Sequence, residues 1–314
     1  MTILRSRVNQ LASTGMKVVS ATLTLLLLAS PALAEPKFIA SIVPVHAIVS
    51  AVMGEAGTPE LLLPGRLSEH AASFTATQIS MLGKADLVFI IGGGLEAKLT
   101  QLSGSEAVAG KVFVELSKAP GIITLHIREG GGWDGEDHED HSDAFDPHVW
   151  LDPENAKAMA QHIAAELGKV DPANKAIYAD NASQFAAELE KLSAEIAASL
   201  ADIKTKPYIV FHDAFQYFEK RFGLNAVGSI ADFSGKPPSA KRLKEIRDKL
   251  ANSRAACVFR EPQYDSKVAD TVTEGSVAKS GVLDPLGAEL ASGADAYEQI
   301  LRNIAAGLKA CLAG

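Results

Sequence analysis

The sequence predicts an α/β protein of two lobes, each a parallel sheet flanked by helices, joined by one long rigid linker helix. Three observations lead there. Short apolar, β-branched runs alternate with helical stretches, the pattern of buried parallel strands with crossover helices. That rhythm occurs in the first half of the chain and again in the second. Between the halves, residues 173–203 contain neither Gly nor Pro.

In the first half, Phe38 to Val43 reads as a strand and Val45 to Gly54 as a helix. Glu60 to Leu63 is a short strand ended by Pro64-Gly65, and Leu87 to Ile91 and Val112 to Glu115 are two more apolar runs. In the second half the strands are Tyr208 to Phe211, Ala226 to Gly228, Cys257 to Phe259 and Val282 to Asp284. Ser239 to Ala251 reads as a helix, because Leu243, Ile246 and Leu250 recur at spacings of three and four. In the middle stretch Phe185, Leu189, Leu192, Ile196 and Leu200 form one apolar stripe. A continuous helix over those 31 residues would be about 45 Å long. The expected organisation is an N-terminal lobe over 35–172, the linker helix over 173–203 and a C-terminal lobe over 204–314.

Residues 1–34 are different in kind. They carry Arg5, Arg7 and Lys17 and no acid, then an apolar run from Val18 to Ala29, then Ala32-Leu33-Ala34. A basic start, a short apolar core and an A-x-A end read as a secretory signal peptide cut after Ala34. The run is short for a membrane anchor, which needs about 20 apolar residues. No cysteine follows the cut to carry a lipid. The expected product is soluble and exported to the periplasm.

Of 314 residues, 47% are hydrophobic and 22% charged, which excludes a disordered or collagen-like chain. The net charge is −8. Loss of three of the 30 basic side chains with the leader leaves 27 against 38 acidic ones, a net of −11. That balance argues against nucleic acid or a membrane surface as partner and is compatible with a cation.

Cys257 and Cys311 are the two cysteines. In an oxidising compartment such a pair is expected as one disulfide, which would pin the last helix to a C-terminal strand. Two buried thiols and a thiolate metal site are the alternatives, although the spacing is not that of a zinc knuckle.

From Glu129 to Asp146 there are eight carboxylates, His138, His141 and no Lys or Arg, with His126 just upstream. Such a run repels itself and reads as a surface loop over about 126–147. It is either a solvated acidic insertion or a weak collector of divalent cations.

Three of the eight histidines have unusual settings. His70 follows a strand and loop, His148 lies in Asp146-Pro147-His148-Val149-Trp150 just before a helix, and His212 ends an apolar strand. Asp284 also ends a predicted strand, in Leu283-Asp284-Pro285-Leu286-Gly287. In open α/β sheets ligands bind beyond the carboxyl ends of strands. Four side chains able to hold a metal therefore fall where a site would be, two from each lobe. Taken singly, each reads better as a satisfied structural His or a turn-capping Asp; together they point to a site.

At these residues the sequence resembles the ZnuA family of zinc-specific periplasmic binding proteins, metal-binding solute receptors of ABC importers. The resemblance rests on Ser68-Glu69-His70, on Asp146 to Pro153, on Phe211-His212-Asp213-Ala214-Phe215-Gln216-Tyr217-Phe218, on Glu261-Pro262-Gln263 and on Leu283 to Gly287. It runs from about Phe38 to the C-terminus with the motifs in order. It implies a metal-receptor type of periplasmic binding protein with a C-terminal disulfide and three imidazole ligands, His70, His148 and His212. The fourth ligand is left open between Asp284, Glu69 and a water. It also implies Zn²⁺ as the transported ligand. The partner would be a membrane permease with its cytoplasmic ATPase, and the receptor is expected as a monomer. Manganese-binding relatives place a carboxylate where this chain has His212, and nitrogen-rich sites favour zinc over the harder manganese. The acidic loop precedes the Asp-Pro-His motif as in that family, but it is short and poor in histidine.

Other motifs are weaker. Ile90-Ile91-Gly92-Gly93-Gly94 lacks dinucleotide spacing and reads as a strand-to-helix turn. His46 is expected to be structural and His162 exposed on a helix. Asn181-Ala182-Ser183 matches a glycosylation acceptor but lies in the linker helix. Three functional rivals remain: a manganese or other divalent-metal receptor, a zinc hydrolase and a surface adhesin. The hydrolase would want an H-E-x-x-H or similar general-base motif, and the chain has none. The adhesin would want a surface anchor, and none is expected after cleavage.

Overall fold

The first strand, β1 (Phe38–Ala40), is buried throughout and pairs in parallel with β2 (Glu60–Leu61) and β3 (Leu87–Ile90). With β4 (Val112–Glu115) they form a four-stranded parallel sheet in the order β2-β1-β3-β4. The second half repeats the plan with β5 (Tyr208–Val210), β6 (Ala226–Ser229), β7 (Cys257–Arg260) and β8 (Lys279–Val282), in the order β6-β5-β7-β8. This computed structural model describes residues 35–70, 73–128, 133 and 144–313. The expected signal peptide and most of the acidic loop, His138 and His141 included, lie outside the described residues. Within Pro36–Gly314 both sheets belong to one compact unit. No helix among the described residues is long and apolar enough to cross a membrane.

Local chemistry explains the helix limits. Helix α1 (Val43–Met53) starts two residues earlier than the apolar pattern suggests, because Pro44 is tolerated in a first turn. Helix α2 (Ala76–Leu82) opens on a capping box between Thr75 and Gln78. Helix α3 (Ala97–Ser103) follows the glycine turn at Gly92–Gly94, all three at positive φ. Helix α4 (Pro153–Val170) is capped by Asp152, which accepts from Glu154 N–H, and has Pro153 in its first turn. The long helix is α5 (Lys175–Leu200), 26 residues and about 39 Å. It buries the predicted stripe of Phe185, Leu189, Leu192, Ile196 and Leu200. Helices α6 (Gln216–Phe222), α7 (Ala240–Ser253), α8 (Ser266–Thr273) and α9 (Ala296–Leu312) complete the second half. Strand β8 starts three residues before the predicted Val282 to Asp284 run and overlaps it only at Val282. It is an edge strand whose first three residues are Lys279, Ser280 and Gly281, so it carries little apolar signature.

A single buried cluster runs from Phe38 to Leu312 and takes in α1, α4, α5 and α9; a smaller one fills the second sheet's far side around Ile209, Ile246 and Val258. The cysteines form the disulfide Cys257–Cys311, with Cα atoms 6.2 Å apart, tying the start of β7 to the last turn of α9. His162 on α4 is half-buried rather than exposed. Asn181 donates to Val52 O at 3.0 Å, so its amide joins α5 to α1.

Candidate metal centre

In both sheets the order of strands reverses beside the first strand of each half, between β1 and β3 and between β5 and β7. Such switch points open a crevice at the carboxyl ends. His212 lies just past β5 and Glu261 just past β7, so they face each other across the second crevice. From the first half come Glu69 and His70, in the loop between β2 and α2, and His148, before the short 3₁₀ turn Val149–Leu151 that leads into α4.

Among the described residues, Glu69, His70, His148 and His212 form a group whose ligating atoms all lie within 4.8 Å of one another. The Nε2 atoms of His70 and His212 each lie 3.3 Å from His148 Nε2. Glu69 Oε1 lies 3.8, 3.7 and 4.0 Å from the Nε2 atoms of His70, His148 and His212. A tetrahedral Zn²⁺ with bonds of about 2.0–2.1 Å places its ligand atoms about 3.3–3.4 Å apart. The two imidazole edges match that figure, and the carboxylate edges are a few tenths longer. Glu69 Oε1 is buried and finds no hydrogen-bond donor among the described residues, an unusual state for a carboxylate oxygen.

Two of the imidazoles are oriented from behind. Asp146 Oδ1 accepts from His148 Nδ1 at 2.7 Å and from the His148 backbone N–H at 2.9 Å. Glu261 Oε1 accepts from His212 Nδ1 at 2.8 Å and from the His212 backbone N–H at 3.0 Å. In the neutral ring that a metal ion requires, a proton held on Nδ1 leaves the Nε2 lone pair aimed into the group. Trp150 lies against His148 and Tyr264 against His212, with ring centres 5.2 and 5.3 Å apart.

Charge is distributed unevenly in this buried space. Burial works against charge on His148, yet the adjacent Asp146, with Glu69, raises its pKa to about 10. Burial dominates at His70 and lowers it to about 3. Glu69 is equally buried, but the adjacent His148 and the other two imidazoles hold its carboxyl down to about 2. Behind His212, Asp213 and Glu219 are buried carboxylates pushed upward by burial. Arg128 compensates them: its Nε donates to both Asp213 oxygens at 3.0 Å and its Nη1 to Glu219 at 2.8 Å. The Arg128 guanidinium also lies 3.5 Å from the centre of the Trp133 ring.

Of the five sequence candidates, the structure brings four together and leaves Asp284 out. Asp284 Oδ1 accepts from Leu286 N, Gly287 N and the Gln263 amide, and Oδ2 from Ala288 N. Its lone pairs serve a turn. His46 is buried on α1, with Nε2 3.0 Å from Pro59 O. His126 is exposed and forms an isolated bridge with Phe145 at the foot of the acidic stretch. Asp146 and Glu261 stand in motifs named from the sequence but without a role there, and Arg128 was not named. Asp146, two residues before His148, and Glu261 both lie in motifs that carry the resemblance, but the pairing of Glu261 with His212, 49 residues away, has no local signal.

Comparison with known proteins decides the family. The family model described as ZnuA, "Zinc-uptake complex component A periplasmic", matches residues 39–311. The chain belongs to the ZnuA family. A ZnuA-family relative from Brucella abortus, "High-affinity zinc uptake system protein ZnuA", is 41% identical over 304 residues, covering 87% of this chain and 91% of that protein. Among solved structures, a zinc-bound ZnuA deletion variant superposes with a TM-score of 0.73 at 27% identity, covering 88% of this chain and 98% of the other. A mutant of the laminin-binding adhesin Lmb from Streptococcus agalactiae superposes with a TM-score of 0.75 at 28% identity, covering 88% and 100%. The two parallel sheets with their long helix are thus the fold of metal-binding receptors of the ZnuA type.

Proposed function

We propose that this chain is the zinc-capturing receptor of an ABC importer. After removal of residues 1–34 it binds Zn²⁺ in the periplasm and hands it to a membrane permease driven by a cytoplasmic ATPase. The observation that carries this reading is the convergence of three imidazole Nε2 atoms and one carboxylate oxygen, within 4.8 Å, on a space enclosed by both halves of the fold. His70, His148, His212 and Glu69 are the proposed ligands. Family membership supports the transport role, and the nitrogen-rich set supports zinc over manganese.

The donor set also bears on hydrolysis. A zinc hydrolase keeps an open coordination position for water. With Glu69 as the fourth ligand beside three imidazoles, the proposed set leaves no position for a reactive water, which suits capture and release of the ion. Binding is the whole mechanism: the carboxylates behind His148 and His212 hold the imidazoles in place, and the buried walls exclude water.

Calorimetric titration of metal-stripped mature protein with Zn²⁺ and with Mn²⁺, beside a His212→Ala variant, tests the proposal. We expect tight one-site zinc binding, weaker manganese binding and loss of zinc affinity in the variant. Preference for Mn²⁺, or zinc binding untouched by the substitution, would overturn the assignment.

A further inference from the structure

The loop bearing Glu69 and His70 leaves β2, and its described residues as far as His70 belong to no helix or strand. Its first part is fastened to the opposite sheet. Gln263 lies two residues beyond Glu261, and its side-chain amide nitrogen donates one hydrogen to Gly65 O at 2.8 Å and the other to Asp284 Oδ1 at 2.9 Å. Asp284 is immobilised in turn by the backbone N–H groups of Leu286, Gly287 and Ala288, at 3.0, 2.9 and 2.6 Å. Gly65 approaches this turn so closely that a Cβ there would lie 3.0 Å from Gly287 O and from Ala288 Cα. The neighbouring Arg66 forms an exposed ion pair with Glu289.

Two features mark this contact as more than packing. Gln263 Oε1 is buried with no hydrogen-bond partner among the described residues, a cost that an apolar side chain would avoid. And the segment it holds ends in the most exposed of the four proposed ligands: the His70 side chain is 9% exposed, against 1% or less for Glu69, His148 and His212. The Gly65 segment thus leads directly into two of the four proposed ligands, the buried Glu69 and the more exposed His70, while His148 and His212 belong to other elements.

We propose that Gln263 is a positioning residue, clamping Gly65 to Asp284 so that Glu69 and His70 stay on the ion, and that this clamp sets the residence time of the bound metal. The proposal rests on the zinc-receptor reading above. It also assigns Asp284 a role, as the fixed post of the clamp.

The test uses the mature chain loaded with Zn²⁺ and mixed rapidly with excess chromophoric chelator, together with the association rate and the melting temperature of the metal-free protein. Gln263→Met keeps length and neutrality and removes both donors. Gly65→Ala forces the segment off the Gly287–Ala288 backbone from the other side. We expect the dissociation rate to rise about tenfold or more in each, with the association rate and metal-free melting temperature near wild type. Dissociation within twofold of wild type in the folded variants overturns the clamp, as does a loss of affinity carried by the association rate alone. If Gln263→Met does not fold, Gly65→Ala decides. Failure of the wild-type chain to bind Zn²⁺ would instead remove the underlying reading, so the two failures are distinct.

Discussion

At the scale of residues, the site is a problem of proton and charge placement. His148 holds a proton in the metal-free protein up to a pH of about 10, because Asp146 and Glu69 outweigh burial. Zinc needs the neutral imidazole, so binding must expel that proton. The sign follows directly: lowering the pH adds the proton back and weakens binding, by about tenfold per pH unit for one proton released. Calorimetry at neutral pH in buffers of different ionisation enthalpy should show about one proton released per ion. A binding enthalpy independent of the buffer would contradict this. Glu261→Gln keeps the shape behind His212 but replaces the carboxylate that orients it. Zinc affinity, measured by chelator competition, should fall by about 10–100-fold, with little change in fold.

Elements hold these residues by a few specific ties. Arg128 belongs to the connection between β4 and α4, yet its guanidinium is spent on Asp213 and Glu219 of the second half. Arg128→Ala strands two buried carboxylates. Destabilisation of about 3–5 kcal/mol is expected in denaturant unfolding, with partial recovery in Arg128→Lys, which restores charge without the planar fork. The disulfide acts at the other end of the same half. It closes a loop of 54 residues and joins the first residue of β7 to α9, whereas Glu261 lies past the last residue of β7. Cys257→Ser with Cys311→Ser should therefore cost about 2–4 kcal/mol of stability and leave zinc affinity unchanged. Differential scanning calorimetry and titration of the same sample would separate the two effects.

For the molecule as a whole, the question is how far the halves can move. Trp150 Nε1 donates to Pro285 O at 3.0 Å, and Tyr297 O–H donates to Trp150 O at 2.6 Å. Tyr217 O–H donates to Asp146 O at 2.6 Å and its oxygen accepts from Leu125 N. These bonds cross between the halves inside a core that α5 lines along its length. Wide hinge opening would break them and expose that core. Solution scattering of metal-free and zinc-loaded protein should accordingly give nearly the same radius of gyration; a large compaction on loading would contradict it. Release then has to come from local motion of a ligand-bearing segment, such as the one that Gln263 fastens at Gly65.

Much of this was legible in the chain itself. The alternation of β-branched runs with amphipathic stretches determined an α/β fold, because burial of both faces of a parallel sheet leaves a signal of period and composition. The stripe from Phe185 to Leu200 determined the long helix for the same reason. His70 and His212 stood out because they follow strands, and His148 because it precedes a helix. What remained illegible was long-range. Edge strand β8 buries too little to show a pattern. Asp284 and Glu69 were equal candidates in sequence, since both are carboxylates beside a strand or a ligand. Only the tertiary structure separated them, by consuming the oxygens of Asp284 in a turn and leaving Glu69 Oε1 buried beside three imidazoles without a donor among the described residues. Hydrophobic periodicity is a local property of the chain, whereas the pairing of lone pairs is settled by residues that sequence distance keeps apart.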